Sequence, residues 1–143
     1  MAARRKPLPP KEAFLAHSNA DHPFTVKLAE DLRRHGVPTW FAERHIGGAQ
    51  KWLAEIGEAL ERCDWMIAIL TPAAIKSDWV YDEVAFALGE KRYRKRVIPL
   101  IVKKCEPKKL IWALANIQSI NARPYEAGLR ALLGTWGIGY IKR

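Results

Sequence analysis

Glu83 and Trp79 are the residues best placed to do chemistry. They stand four positions apart, a spacing that lets an aromatic surface and a carboxylate share one pocket on a helix. On a helical wheel Val80, Val84, Ala87 and Leu88 cluster as the buried stripe, with Glu83 on its flank and Trp79 beside it one turn earlier. Glu83 also falls in the first turn or two, where the helix dipole favours negative charge. Two readings stand side by side: a surface glutamate that helps the helix start, and a carboxylate set against an aromatic wall to act on a ligand. Other chemistries are excluded by their missing signatures. There is no GxxxxGK[ST] phosphate loop, no GxGxxG after the first strand and no GxSxG nucleophile elbow. The third strand ends Ile69-Leu70-Thr71, without the aspartate of a phospho-receiver. His17, His22, His35 and His45 show no metal-ligand spacing and read as surface or cap residues.

The elements that must position these residues follow from periodicity. Ala13-Phe14-Leu15-Ala16 reads as a buried strand running into the polar loop His17 to Asp21. Pro23 suits the first turn of a helix capped by Asp21 or His22, with Phe24, Leu28 and Leu32 at helical spacing and Gly36 closing it. Val37 to Phe41 reads as a second strand, placed at an edge by Pro38. A loop from Ala42 to Lys51 contains Gly47-Gly48, and Trp52, Leu53, Ile56, Ala59 and Leu60 then form an amphipathic stripe. The unbroken apolar run Trp65 to Leu70 marks a strand buried on both faces. A polar stretch to Asp78 precedes a helix from about Trp79 to about Lys91. Strand four is Val97 to Val102, followed by a basic loop from Lys103 to Lys109 and a helical turn over Leu110 to Leu114. A fifth short strand is expected over Ile117 to Ile120 and a last helix over Tyr125 to Trp136.

Strands alternating with helices imply a parallel sheet covered on both sides. Right-handed crossovers then give a flavodoxin-like, doubly wound α/β sheet of five parallel strands in the order 2-1-3-4-5. Such sheets bind ligands beyond the carboxyl ends of their strands, beside the switch in strand order. Here the switch lies between strands one and three, so His17 to Asp21, Ala42 to Lys51 and the segment from Thr71 into the third helix face the crevice.

The chain has 143 residues, about one domain by the usual ~100–200 residues each. Lys and Arg number 24 against 15 acids, a net charge of +9 that attracts polyanions. Arg4, Arg5, Lys6 and Lys11 lie in a proline-rich segment read as a flexible arm over 1–11, and five further cations crowd into residues 91–96. No base-reading helix or stacking platform accompanies them, so specific nucleic-acid binding is not expected. Two cysteines, Cys63 and Cys105, without a CxxC pattern fit a reducing compartment. No apolar run reaches the ~18 residues of a membrane span, and the N-terminus lacks the apolar core of a secretory signal. A cytoplasmic location is expected.

The segment FLAHSNADHPFTVKLAEDLRRHGVPTWF resembles the opening of Toll/interleukin-1 receptor (TIR) domains. ERHIGGAQKWLAEIGEALERCDWMIAILTP resembles their second box, the BB loop with its helix and third strand. SDWVYDEVAFAL resembles the Ser-x-Trp-x-x-x-Glu-Leu stretch, and VIPLIV and NIQSINARPYEAGLRALL the remaining elements. The resemblance covers about residues 12–136, is most like bacterial members, and gives a TIR domain over 12–143 after the arm.

Many TIR domains cleave NAD⁺ between ribose and nicotinamide, and their catalytic glutamate closes the Trp-x-x-x-Glu stretch. The resemblance therefore implies an NAD⁺ glycohydrolase or cyclase, as in antiphage defence or an NAD⁺-depleting effector. It implies Glu83 as the catalytic residue, and Trp79, His17, Ser18, Asn19, Asp21 and Gly48 as substrate contacts. NAD⁺ is the substrate, and neither a resident cofactor nor a metal is expected. Self-association through the BB loop, Ala42 to Lys51, is implied, along with a separate regulatory or effector protein. Two positions depart from the family pattern. Gly48-Ala49 stands where the family has Pro-Gly, and Ser18-Asn19 lacks the arginine some catalytic members carry. The alternative is a non-catalytic module that docks other TIR domains, which the same fold would serve equally well.

Overall fold

A computed structural model of the chain describes residues 8–43 and 49–142, with the backbone alone for 49–52. His45, Gly48, residues 1–7 of the expected arm and the middle of the expected loop lie outside the described residues. The five strands are β1 (Ala13–Ala16), β2 (Thr39–Trp40), β3 (Trp65–Leu70), β4 (Val97–Ile101) and β5 (Ile120–Asn121). They form one sheet in the order β2-β1-β3-β4-β5, and every pairing is parallel. The central register sets Leu15 beside Ile67 and Ile67 beside Ile98.

The helices are α1 (His22–Arg34), α2 (Ala49–Arg62), the short α3 (Pro72–Ile75), α4 (Asp78–Leu88) and α5 (Tyr125–Thr135). Because side chains alternate along a strand, each central strand serves two cores. Ala13, Leu15, Ile67 and Ile69 meet Leu28 and Leu32 of α1 and Leu129, Leu132 and Leu133 of α5. Phe14, Ala16, Met66, Ala68 and Leu70 meet Ile56, Ala59 and Leu60 of α2 and Val80, Val84 and Ala87 of α4. Strands covered on both faces must be apolar at every position, which is why β1 and β3 show no polar alternation.

Several boundaries differ from the sequence expectation. β2 is only two residues long, and it lies at the sheet edge as Pro38 requires. The expected loop to Lys51 ends early, since α2 begins at Ala49. Leu53, expected in the stripe of that helix, is exposed. An additional short helix, α3, occupies part of the expected polar stretch, because Thr71 caps it by accepting the Ala74 N–H at 3.1 Å. The next helix ends at Leu88 rather than near Lys91, since Gly89 closes it and Lys91–Tyr93 forms a separate 3₁₀ turn. β5 lies at Ile120–Asn121, beyond most of the expected 117–120 range, because its register is set by Leu100 and Ile101. Pro10 is buried and the Lys11 N–H bonds Asp64 at 3.0 Å, so the chain is anchored before residue 12. Gly36, at φ +83°, ends α1 as expected: its own N–H and that of Val37 return to the Arg33 and Leu32 carbonyls. No helix among the described residues is long and apolar enough to cross a membrane.

Candidate active site

α1 leaves β1 toward one face of the sheet, and α3 and α4 leave β3 toward the other, opening a crevice above the switch. Asp21 organises its floor. The carboxylate is buried, and one oxygen, Oδ2, accepts two hydroxyls, Ser18 Oγ at 2.6 Å and Thr71 Oγ1 at 2.6 Å. The Thr71 hydroxyl thus donates to Asp21 while it accepts the Ala74 N–H at the start of α3. The Thr25 hydroxyl donates to the Asp21 carbonyl at 2.9 Å, pinning the first turn of α1 to the same point. Ser77 then caps α4 by accepting the Val80 N–H at 3.2 Å. The helix that carries Glu83 is therefore set by hydroxyl caps reaching back to the end of β1.

His17, expected at the surface, is buried directly after β1. Its Nε2 lies 3.2 Å from His22 Nδ1, so one ring donates and the other accepts. Phe41 meets both rings edge-on, at centroid distances of 6.0 and 5.7 Å. Burial lowers the His17 pKa below the ordinary histidine value and favours a neutral ring. His35 is also buried, as the residue that ends α1, and its Nε2 accepts the Ile141 N–H at 2.9 Å. Asn19, in the 3₁₀ turn that follows β1, is exposed.

Glu83 departs furthest from expectation. It does not flank the buried face of α4 but belongs to it, at 4% exposure. α4 rests on both β1 and β3, so the covered arc is wider than the apolar stripe. Leu88, placed on that stripe by the wheel, is only half-buried. Among the described residues the Glu83 carboxyl has no hydrogen-bond or ion-pair partner. Burial first, and the Asp82 charge second, push its pKa up to about 8. Trp79, one turn earlier, is half-buried against the core on this face of the sheet. Residues 44–48, including Gly48, lie outside the described residues.

The bond between Asp21 and Thr71 carried no local signal, although both residues were expected at the crevice. Thr71 and Asp21 are 50 positions apart, and only the β1–β3 pairing brings them together. Cys105, after β4, is half-buried. Burial raises its thiol pKa, with a further push from the Asp21 carboxylate.

The TIR domain family model matches residues 13–133. The chain belongs to the TIR domain family. This TIR domain is similar to the 2′ cyclic ADP-D-ribose synthase BtTIR of Bacteroides thetaiotaomicron, with 26% identity over 89 residues. That match covers 61% of this chain but only 31% of the relative, so this TIR domain spans about a third of the relative's length. It also superposes on the crystal structure of the TIR domain of the Toll-related receptor TRR-2 from Hydra magnipapillata. The TM-score is 0.64 at 18% identity, over 80% of this chain and 86% of that one, a likeness of fold.

Proposed function

We propose that this TIR domain cleaves the nicotinamide–ribose bond of NAD⁺, with Glu83 as the catalytic carboxylate and Trp79 as the wall for the nicotinamide ring. The observation that carries the reading is the burial of Glu83 without a partner among the described residues, which raises its pKa to about 8. Burying a carboxyl in this way opposes folding, and such groups cluster at functional sites. Similarity to a 2′ cyclic ADP-D-ribose synthase supports NAD-derived chemistry.

The mechanism follows from the charge of the substrate. Nicotinamide in NAD⁺ is cationic and leaves neutral, carrying the electron pair of the C–N bond, so no general acid is needed for departure. The sugar becomes oxocarbenium-like, and ionised Glu83 stabilises that charge and orients the ribose hydroxyls. Trp79 stacks on the pyridinium, a contact worth ~1–2 kcal/mol when desolvated. Capture of the cation by water, with loss of one proton, gives ADP-ribose, and capture by a hydroxyl of the same molecule gives a cyclic isomer. His17, Ser18, Asn19, Asp21 and Gly48 are proposed as substrate contacts. We place the activity inside the cell, as NAD⁺ depletion in a defence or effector role, with copies associating through the BB loop.

The test is NAD⁺ loss and product chromatography on the parent and Glu83→Gln proteins. The substitution should lower turnover at least ~100-fold, about 3 kcal/mol of barrier, in a protein that still folds. A folded Glu83→Gln protein that consumes NAD⁺ at the parent rate would remove the assignment. A parent that consumes none would leave the docking module.

A further inference from the structure

At the opposite end of the sheet, β5 is too short to cover β4. It pairs only with Leu100 and Ile101, so Val97 and Ile98 have no strand beside them on that side. The missing length leaves a slot of about 620 Å³, floored by Trp65, Val97 and Ile98 and walled by Leu88 of α4 and Ala131 of α5. A cavity of this size falls in the range that holds small molecules. Arg94 and Lys95 line its mouth.

The basic run 91–96 divides cleanly at this point. Arg92 is committed to the fold, donating to the Leu60 and Cys63 carbonyls at 2.6 and 3.0 Å. Arg96 lies 3.8 Å from Asp64. The side chains of Arg94 and Lys95, by contrast, have no ion pair or hydrogen bond among the described residues, and both are exposed. Lys95 also sits at φ +61°, the left-handed region usually left to glycine or asparagine. The lysine thus sits on a tight turn at the edge of the slot.

We propose that this slot is a second binding site, which takes a small amphipathic anion with its apolar body along β4 and its carboxylate or phosphate at Arg94 and Lys95. The site is independent of the reaction proposed above, since it lies at the amino ends of the strands. The probe is decanoate below its micellar concentration, followed by titration calorimetry and by the amide resonances of Val97 and Ile98. Decanol and decylamine serve as the neutral and cationic counterparts. Decanoate should shift both amides and bind about tenfold or more tighter than decanol, a difference that high salt reduces. The double substitution Arg94→Ala and Lys95→Ala should bring decanoate down to the affinity of decanol. Ala131→Phe, at an exposed position, should close the slot to both, with thermal unfolding confirming that the variants fold. Equal affinity for all three probes, no shift at Val97 and Ile98, or decanoate binding unchanged by Ala131→Phe would each overturn the proposal.

Discussion

At the amino ends of β1 and β3, charge is matched group by group. Asp64 accepts the backbone N–H groups of Lys11 and Glu12 at 3.0 and 3.2 Å, Arg62 reaches Glu12 at 2.6 Å, and Arg92 donates to the carbonyls of Leu60, in the last turn of α2, and Cys63, just beyond it. At the carboxyl ends of the same strands, Asp21 is satisfied by two hydroxyls, yet Glu83 is left without a partner among the described residues. The first arrangement holds the chain together. The second stores a carboxyl whose ionisation the fold opposes. On the proposed reading the contrast has a reason: the charge of such a site is completed by a cationic ligand rather than by the protein.

The largest effect that would sharpen this contrast is at Glu83. Its substitution by glutamine should cost at least ~100-fold in NAD⁺ turnover, yet stabilise the protein in mild alkali. The sign follows from linkage. The folded value is about 8 against an ordinary 4.5, so between those pH values the unfolded chain ionises while the folded protein keeps its proton. Stability therefore falls as pH rises through that window and levels off above it. Glutamine removes this slope, so the two melting curves should match near pH 4.5 and diverge by pH 8, with the variant melting higher. Parallel curves across that range would show that Glu83 is solvated.

A pH profile of the parent extends the same test. If the ionised carboxylate works, kcat/KM should rise with pH toward about 8, the value for the free protein. A profile flat from pH 5 to pH 9 would place another group in control.

Next in size is Thr71→Val, which strips Asp21 of one donor and α3 of its cap. Losing a buried hydrogen bond together with a cap should cost about 1–3 kcal/mol, read by denaturant unfolding. Activity should fall too, because α4 follows α3. Unaltered stability and turnover would show that this linkage does not set the site.

The smallest effect belongs to the amino end. Arg62→Ala breaks an ion pair whose arginine is half exposed, so the loss should be under ~1 kcal/mol and should shrink further in salt. A loss comparable to that of Thr71→Val would erase the distinction between the two ends.

The sheet order and the buried central strands were legible in the sequence because an apolar run such as Trp65 to Leu70 fits few other places. The Trp79–Glu83 spacing was legible as a pair on one helix face. The depth of Glu83 was not, because a wheel measures one helix and burial depends on which strands that helix crosses. The Asp21–Thr71 bond joins residues that no local pattern connects. The two-residue strands β2 and β5 exist through pairing with their neighbours, so composition places them only roughly.

The register of β1 against β3 has a kinetic consequence. Ala13 lies beside Trp65, so the innermost pair of strands forms only after the chain between them has closed on itself. Entropy must be lost before that contact gives anything back, and no hairpin offers a shorter route to a parallel neighbour. α1 and α2 can gain helix locally, but neither has an apolar surface to settle on until the strands meet. Refolding should therefore show helical signal ahead of the quenching of buried Trp65, and its rate should be governed by closure of this loop.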